Sequence, residues 1–360
     1  MRRSLIVLAL TAIASASAAP SFAGPFTVIT LATNATDPAL INPWGLAASA
    51  TSPMWLGVNG SGISELYNGA GAKQGLVVTI PGDGSVTGVV FSGVGFNGDT
   101  FLFVSEDGTV SGWRNALGNT AEVLQIANID NVYKGLAQAV ISGNTYAYAA
   151  DFRGGEIDVL KGTPNAPDLT GKFVDPNLPA GYAPFNIQNL GGTLYVSYAV
   201  QDATKEDDVP GVGNGIVDRF DLNGNLLGRV VNNNGLLNSP WGLAIAPAGF
   251  GSLAGDLLVG NFGDGLIHAY DPLTGVLLDT LTDATNSPIV IEGLWALRVG
   301  NNGAGSDPNS VYFTAGPDGE SGGQFGRIAG PGSAAAVPEP ATLALVGGGL
   351  LAAIRRRRRA

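Results

Sequence analysis

Short stretches of alternating apolar and polar residues recur along the chain, and each one ends in a turn rich in glycine, asparagine or aspartate. Residues 157–160, 216–221 and 266–271 show the alternation best. A period of two residues is typical of β-strands that bury one face and expose the other. The pattern therefore predicts an all-β protein.

Six segments of the chain open with a similar apolar phrase. It reads Pro-Trp-Gly-Leu-Ala at residues 43–47 and again at residues 240–244, and related phrases begin at residues 86, 133, 184 and 292. Each opening is followed by a second apolar strand with a polar end and then by a third, and residues 75–80 and 226–231 fit a fourth. We interpret the body as six repeats of about fifty residues.

Six repeats of four short antiparallel strands predict a six-bladed β-propeller in which the opening phrase is the innermost strand. Gly45, Gly135 and Gly242 would allow those strands to pack closely around a central channel. The last repeat ends near residues 325–328 after three strands, while an extra strand at residues 26–31 precedes the first repeat. We expect this N-terminal strand to complete the last blade and close the ring. Two stacked β-sandwiches are the alternative architecture.

The first 23 residues have the order of features found in secretory signal peptides. Arg2 and Arg3 are followed by an apolar stretch at residues 5–13 and by small residues before the body. We therefore predict a signal peptide at 1–23, a propeller at 24–332 and a separate tail at 333–360. An amphipathic first helix is the alternative for the N-terminal segment, although its apolar stretch has no polar face.

The tail combines a short motif, an apolar stretch and a basic cluster. Fourteen uncharged residues, 341–354, would span roughly 21 Å as a helix, which is short of the ~30 Å hydrocarbon core. The arginines would hold this sorting helix at the cytoplasmic side of the membrane. A plain tail anchor is the alternative. The motif and the cluster consist of Pro338, Glu339, Pro340, Arg355, Arg356, Arg357, Arg358 and Arg359.

This layout resembles the PEP-CTERM sorting signal. The resemblance implies a Gram-negative bacterium, export through the inner membrane, transient anchoring by the tail, and processing by an exosortase-type membrane protease. Release or attachment at the cell surface would follow.

The body also resembles known propellers. Its Pro-x-Gly-Leu-Ala openings and the phrase at residues 270–275 resemble NHL-repeat and related six-bladed propellers. The phrases at residues 42–47, 181–188 and 260–265 look like a family of exported bacterial proteins of unknown function that often carry this tail. That resemblance covers nearly the whole body and implies no established activity.

Charge and composition exclude several classes of function. The chain has a net charge of −11, and seven of its 18 basic residues lie in the terminal segments, so the body is more acidic still. Such a surface repels phosphates, so nucleic acids are not expected partners. The absence of cysteine excludes thiol catalysis and thiolate metal sites. The single histidine, His268, lies within an alternating strand, which favours a structural position. No glycine-rich loop precedes a helix, so we expect no nucleotide site.

Polar residues at the ends of the second strands would share one face of the propeller with aromatic residues near the channel mouth. We interpret this face as a candidate ligand site, with solvated turns as the alternative for each polar residue. Six-bladed, metal-dependent lactonase-like enzymes have a comparable ring of Glu, Asn and Asp. The candidate residues are Trp44, Asn59, Glu106, Asp151, Asp202, Trp241, Asn261 and Trp295.

A long insertion at residues 201–215 interrupts the fourth repeat and contains clustered acids. Glu206, Asp207 and Asp208 are candidate ligands for Ca²⁺, which prefers carboxylate and carbonyl oxygens. The alternative is an exposed loop kept soluble by its charge, because the spacing is not that of an EF-hand.

These observations favour a non-catalytic extracellular propeller that binds exopolysaccharide or another surface protein within an extracellular matrix. The alternative is a cation-dependent hydrolase or lactonase that uses the same face.

Overall fold

The computed structural model describes residues 24–331. The predicted signal peptide at 1–23 and the tail at 333–360 lie outside these residues, as does residue 332. Within 24–331 the chain forms 23 strands in six antiparallel sheets.

The first three sheets are blade 1 with β2 (Pro43–Ala47), β3 (Met54–Val58), β4 (Ile63–Tyr67) and β5 (Lys73–Thr79); blade 2 with β6 (Val86–Phe91), β7 (Phe101–Ser105), β8 (Val110–Trp113) and β9 (Glu122–Gln125); and blade 3 with β10 (Tyr133–Ile141), β11 (Asn144–Asp151) and β12 (Glu156–Lys161).

The last three sheets are blade 4 with β13 (Tyr182–Leu190), β14 (Thr193–Val200), β15 (Ile216–Phe220) and β16 (Leu226–Val231); blade 5 with β17 (Pro240–Ile245), β18 (Leu257–Asn261), β19 (Ile267–Tyr270) and β20 (Leu277–Thr280); and blade 6 with β21 (Leu294–Val299), β22 (Ser310–Ala315), β23 (Gln324–Ala329) and the N-terminal β1 (Thr27–Thr33).

The prediction of a six-bladed propeller closed by its N-terminal strand is confirmed. β1 pairs antiparallel with β23, so that Thr27 faces Ala329 and Thr33 faces Gln324. The first strand of each blade contacts the first strand of the next blade, and β2 contacts β21, which closes the ring. These inner strands are β2, β6, β10, β13, β17 and β21.

The cores of the propeller lie between adjacent blades. Trp55 of blade 1 stacks on Phe101 of blade 2 with ring centroids 4.1 Å apart, in one such core. A second joins blades 3 and 4, and a third joins blades 5 and 6. Both faces of each sheet are buried in this way. The strands therefore have consecutive apolar residues wherever they pass through the core.

Glycines in the inner strands bring neighbouring blades into close contact. A Cβ atom on Gly45 would lie 2.5 Å from the carbonyl oxygen of Thr87 and 2.7 Å from the backbone nitrogen of Val89 in the next inner strand. A Cβ atom on Gly242 would lie 2.7 Å from the carbonyl oxygen of Trp295. The predicted reason for these glycines, close packing of the inner strands, is therefore confirmed.

Blade 3 differs from the four-strand pattern, because it has three strands. The segment after Lys161 contains Pro164 and Pro167, which lack the N–H group that a paired strand would need. Ala166 and Phe173 instead bury their side chains against the core between blades 3 and 4.

Helical structure within residues 24–331 is limited to four short 3-10 segments, Asn59–Ser61, Phe96–Gly98, Asn115–Leu117 and Ala248–Leu253. None of the helices in this part of the chain is long and apolar enough to cross a membrane.

Candidate functional site

Each inner strand aims one residue at the axis of the propeller. In all six sheets the pairing of the inner strand with the second strand shifts register near its start, and the shift brackets this residue. A β-bulge of this kind bends the strand and redirects a side chain. The six residues, which we call the axial residues, are Trp44, Thr87, Lys134, Phe185, Trp241 and Trp295.

The axial aromatic residues fill the centre of the propeller. Trp44 stacks on Trp295 with centroids 3.5 Å apart, and Phe262 stacks on Trp295 at 3.9 Å. Trp241 meets Trp295 edge-on at 6.0 Å. All three tryptophans are at most 3% exposed. A sugar-stacking platform needs an exposed ring face, and these rings are used instead to pack the hub.

Lys134 lies on this aromatic stack. Its ammonium group is 5.0 Å from the centre of the Trp44 ring, a cation–π contact. The same group pairs with the carboxylate of Glu106 and lies 3.4 Å from that of Asp207. Asn59 donates to Glu106 at 3.0 Å. The fold thus brings together two of the predicted ligand residues, Asn59 and Glu106, around a buried lysine.

The end of the axis at which the inner strands begin is acidic. We call Lys134, Glu106, Asp207, Glu320 and Asn59 the acidic mouth. Burial alone would lower the pKa of Lys134, but Glu106 and Asp207 outweigh it and raise that pKa. Burial raises the pKa of Glu320, whose carboxylate accepts a 2.6 Å hydrogen bond from Asn42. The lysine charge is therefore held in place by two carboxylates from separate loops, those of Glu106 and Asp207.

A cavity of about 550 Å³ opens beside the acidic mouth, above blades 2 and 3. Ile129, which is 81% exposed, stands at its edge and adds an apolar surface. Arg153 supplies hydrogen-bond donors, whereas the side-chain amide of Asn131 already donates to Asp151 and Asp158. Its acidic lining residues are Asp83, Glu106, Asp107, Glu206 and Asp207.

Asp151 and Asp202 stabilise loops at this face. Asp151 is buried and accepts hydrogen bonds from the backbone nitrogens of Val132 and Gly154, each at 3.0 Å. Asp202 accepts from the backbone nitrogen of Glu206 at 3.0 Å and thereby closes the turn at the start of the insertion. These backbone contacts account for Asp151 at the end of β11 and for Asp202 after β14 without requiring a ligand.

Asn261 is fully buried at the end of β18. Its amide nitrogen donates to the carbonyl oxygen of Leu236 at 3.0 Å, and its side-chain oxygen has no hydrogen-bond partner within residues 24–331.

The three acids proposed to bind Ca²⁺ point to different partners. Glu206 pairs with Arg153, Asp207 lies beside Lys134, and Asp208 is largely enclosed, which raises its pKa. Within residues 24–331 no three His, Cys, Asp or Glu side chains are grouped as a metal site. Calcium at this loop would have to displace both ion pairs, and the expectation remains a prediction.

His268 packs inside blade 5, 2% exposed, with its Nδ1 atom 2.8 Å from Thr280 Oγ1. Burial lowers its pKa, so the ring is neutral at pH 7. The position agrees with the structural role expected from the alternating strand.

Sequence reasoning missed Lys134, Glu320 and Arg153. The signal for Lys134 was available, because it occupies the place in its opening phrase that Trp44 and Trp241 occupy in theirs. A charged residue at a position that is aromatic in four of the six inner strands needs a partner of opposite charge. Glu320 and Arg153 lie in loops, and their meeting with the hub depends on how the ring closes.

Comparison with known proteins identifies the tail. Residues 336–359 match the family model described as the PEP-CTERM protein-sorting motif. The chain therefore carries a C-terminal sorting tail that implies export through the inner membrane and processing by an exosortase-type protease.

One solved structure supports the propeller architecture despite little sequence similarity. A glucose dehydrogenase is 13% identical to this chain. The match covers 84% of this chain and 98% of the dehydrogenase, with a TM-score of 0.51. The virginiamycin B lyase of Staphylococcus aureus has the same identity and coverage, with a TM-score of 0.49. The dehydrogenase supports the propeller fold and nothing about activity.

Two proteins of Acanthamoeba polyphaga mimivirus are much closer in sequence. Uncharacterized protein R648 is 30% identical over 319 residues, which cover 81% of this chain and 76% of the relative. Uncharacterized protein L690 is 31% identical over 316 residues, which cover 81% of each. At this identity and coverage, the chain belongs to the same family as these two uncharacterised proteins.

Proposed function

We propose that this protein is an exported, non-catalytic binding protein of the Gram-negative cell surface, and that its ligand is a hydroxyl-rich polysaccharide of the extracellular matrix. The observation that carries the proposal is the cavity at the acidic mouth, which combines five carboxylates with an exposed apolar edge in a chain that has a sorting tail for export.

Carboxylates at this cavity suit sugar hydroxyl groups. A carboxylate has about four acceptor positions, and Glu106 uses only some of them on Asn59 and Lys134. Hydroxyl groups of a saccharide can donate to the remaining positions, while the N–H groups of Arg153 that are not used on Ile129 and Glu206 can donate to its oxygens. Ile129 would cover the apolar face of a sugar ring.

The existing ion pairs favour binding without chemistry. The carboxylate of Glu106 is already engaged by Asn59 and by Lys134. These two contacts hold it in position before a ligand arrives, which lowers the entropic cost of binding.

The test is calorimetric titration of the exported protein with neutral matrix oligosaccharides, with and without Ca²⁺. Asp207→Asn keeps the size of the side chain and removes an acceptor, and we expect it to weaken binding by about tenfold. Asp168→Asn is the matched control, because Asp168 is 93% exposed, lies outside this cavity and pairs with Lys161 alone.

Failure to bind any neutral saccharide would contradict the proposal. Salt-sensitive binding of oligolysine alone would favour a basic surface protein as the ligand. Hydrolysis of lactones that depends on added Ca²⁺ would overturn the non-catalytic assignment.

A further inference from the structure

The opposite end of the axis is the end at which the inner strands finish. It contains a basic residue, Arg298, whose surroundings differ from those of Lys134. Arg298 lies in β21, and its guanidinium lines two adjoining cavities of about 340 and 250 Å³. Gln188 and Asn189 of blade 4 line both cavities as well. We call Arg298, Gln138, Gln188 and Asn189 the arginine mouth.

Arg298 has no acidic partner in the part of the chain that the structure describes. One amino group donates to the carbonyl oxygen of Ala48 at 2.9 Å, while the Nε atom is buried and has no hydrogen-bond partner in the described part of the chain. None of the residues lining the two cavities is an aspartate or a glutamate. Desolvation lowers the pKa of the guanidinium to about 10, with no carboxylate to oppose it.

Arg298 and Arg219 are the two arginines of residues 24–331 that form no ion pair. Arg114, Arg153, Arg229 and Arg327 each pair with at least one carboxylate. A buried cation without a counter-charge is destabilising, and proteins normally compensate it with an anion or an acid.

A second donor without a partner lies at the same place. The side-chain nitrogen of Gln138 is buried and has no partner among residues 24–331, although its backbone carbonyl accepts a 2.8 Å hydrogen bond from Asn189. Leaving an amide donor unsatisfied costs free energy comparable to a lost hydrogen bond. Two orphaned donors beside one cavity are complementary to an acceptor-only group.

We propose that the arginine mouth binds a small oxyanion, a carboxylate or a sulfate, whose oxygens accept hydrogen bonds from Arg298 and Gln138. The planar fork of a guanidinium matches two oxygens of such a group. The oxyanion can be a free ion or a group on an acidic sugar, and the cavity has room for either. This site is independent of the one proposed at the acidic mouth.

The test is calorimetric titration of the exported protein at constant ionic strength with acetate, sulfate, galacturonate and, as the neutral counterpart, galactose. We expect saturable binding of the anions and none of galactose. Galacturonate binding at least tenfold tighter than acetate would identify an acidic sugar, and equal binding would identify a free ion. Both results support the site.

Arg298→Gln should weaken anion binding by at least about tenfold. Arg219→Gln is the matched control, because Arg219 also forms no ion pair within residues 24–331 and has an unpartnered Nε, yet lines neither cavity. Gln138→Leu provides a second variant if the first does not fold, and it should also weaken binding. No saturable anion binding by the unmodified protein would overturn the proposal, as would equal weakening by Arg219→Gln.

Discussion

Lys134 and Arg298 are basic residues of two inner strands, and they lie at opposite ends of the same axis. Lys134 is enclosed by the carboxylates of Glu106 and Asp207 and by the face of Trp44. Arg298 has a single carbonyl oxygen and no acid within the described residues. One cation is therefore part of the internal framework, whereas the other has no compensating acid among residues 24–331.

The largest effect is expected at Lys134. Lys134→Met keeps much of the aliphatic stem but removes the cation–π contact with Trp44 and leaves Glu106, whose side chain is 27% exposed, without its cation, while the more exposed Asp207 stays solvated. Removing the buried partner of an ion pair is destabilising. We expect a loss of about 3 kcal/mol in the free energy of unfolding, measured by urea denaturation. The control is Lys161→Met, whose partner Asp168 is 93% exposed, and its midpoint should not change. An unchanged midpoint for Lys134→Met would mean that the acidic mouth is not held together by its lysine.

The two mouths share the close contact of the inner strands, and Gly45→Ala tests that contact. The new Cβ would meet two rigid backbone atoms of blade 2 at 2.5 and 2.7 Å. We expect a loss of about 2 kcal/mol, typical of an overpacked core, in the same denaturation assay. Gly75→Ala in β5 is the control, because a Cβ there meets nothing within 4 Å. Equal effects of the two substitutions would argue against the close packing of the inner strands.

Asp175, Asp218 and Arg229 form a third cluster of charged residues, away from both mouths, and this cluster makes the stability of the fold depend on pH. Burial and the nearby Asp175 raise the pKa of Asp218 to about 7 from its ordinary 3.8, although Arg229 opposes them. Between about pH 4 and pH 7 the folded protein therefore holds a proton that the unfolded chain has released, so this residue makes stability fall as pH rises.

Asp218→Asn should remove that contribution, on the order of 1 kcal/mol per pH unit, from the slope of stability against pH. Denaturation at several pH values measures it. Parallel slopes for the variant and the unmodified protein would contradict a raised pKa.

The smallest effect, with the opposite sign to that at Lys134, is expected at Arg298. In buffer without oxyanions, Arg298→Gln removes a desolvated charge that has no acidic partner, so stability should stay level or rise by up to about 1 kcal/mol. Thermal unfolding in such a buffer checks this. A loss as large as that for Lys134→Met would show that both cations are structural and would remove the contrast between the mouths.

The architecture could be predicted from the sequence because local patterns within each repeat indicate its strands. The recurring Pro-Trp-Gly-Leu-Ala phrase marks the inner strands, and the unmatched strand before the first repeat indicates how the ring closes. The missing fourth strand of blade 3 was less visible, because its replacement depends on where Phe173 can be buried.

The candidate site was harder to predict, because its contacts cross blades. Asn59 and Glu106 come from different repeats and were expected on one face, and they meet there. The burial of Trp44 and Trp295 could not be read from the chain, since it depends on one ring stacking on another across the axis. Arg298 lies in an ordinary apolar strand, and only the geometry shows that no acid accompanies it.

Pairing of β1 with β23 has a consequence for export. Because Thr27 lies opposite Ala329, β1 can pair with β23 only after almost the whole propeller has been translocated. A chain threaded through the inner membrane from its N-terminus would thus keep an open sheet edge until translocation is nearly complete. The sorting tail begins soon after β23. Only a short stretch of chain therefore separates the strand that completes the propeller from the sorting signal.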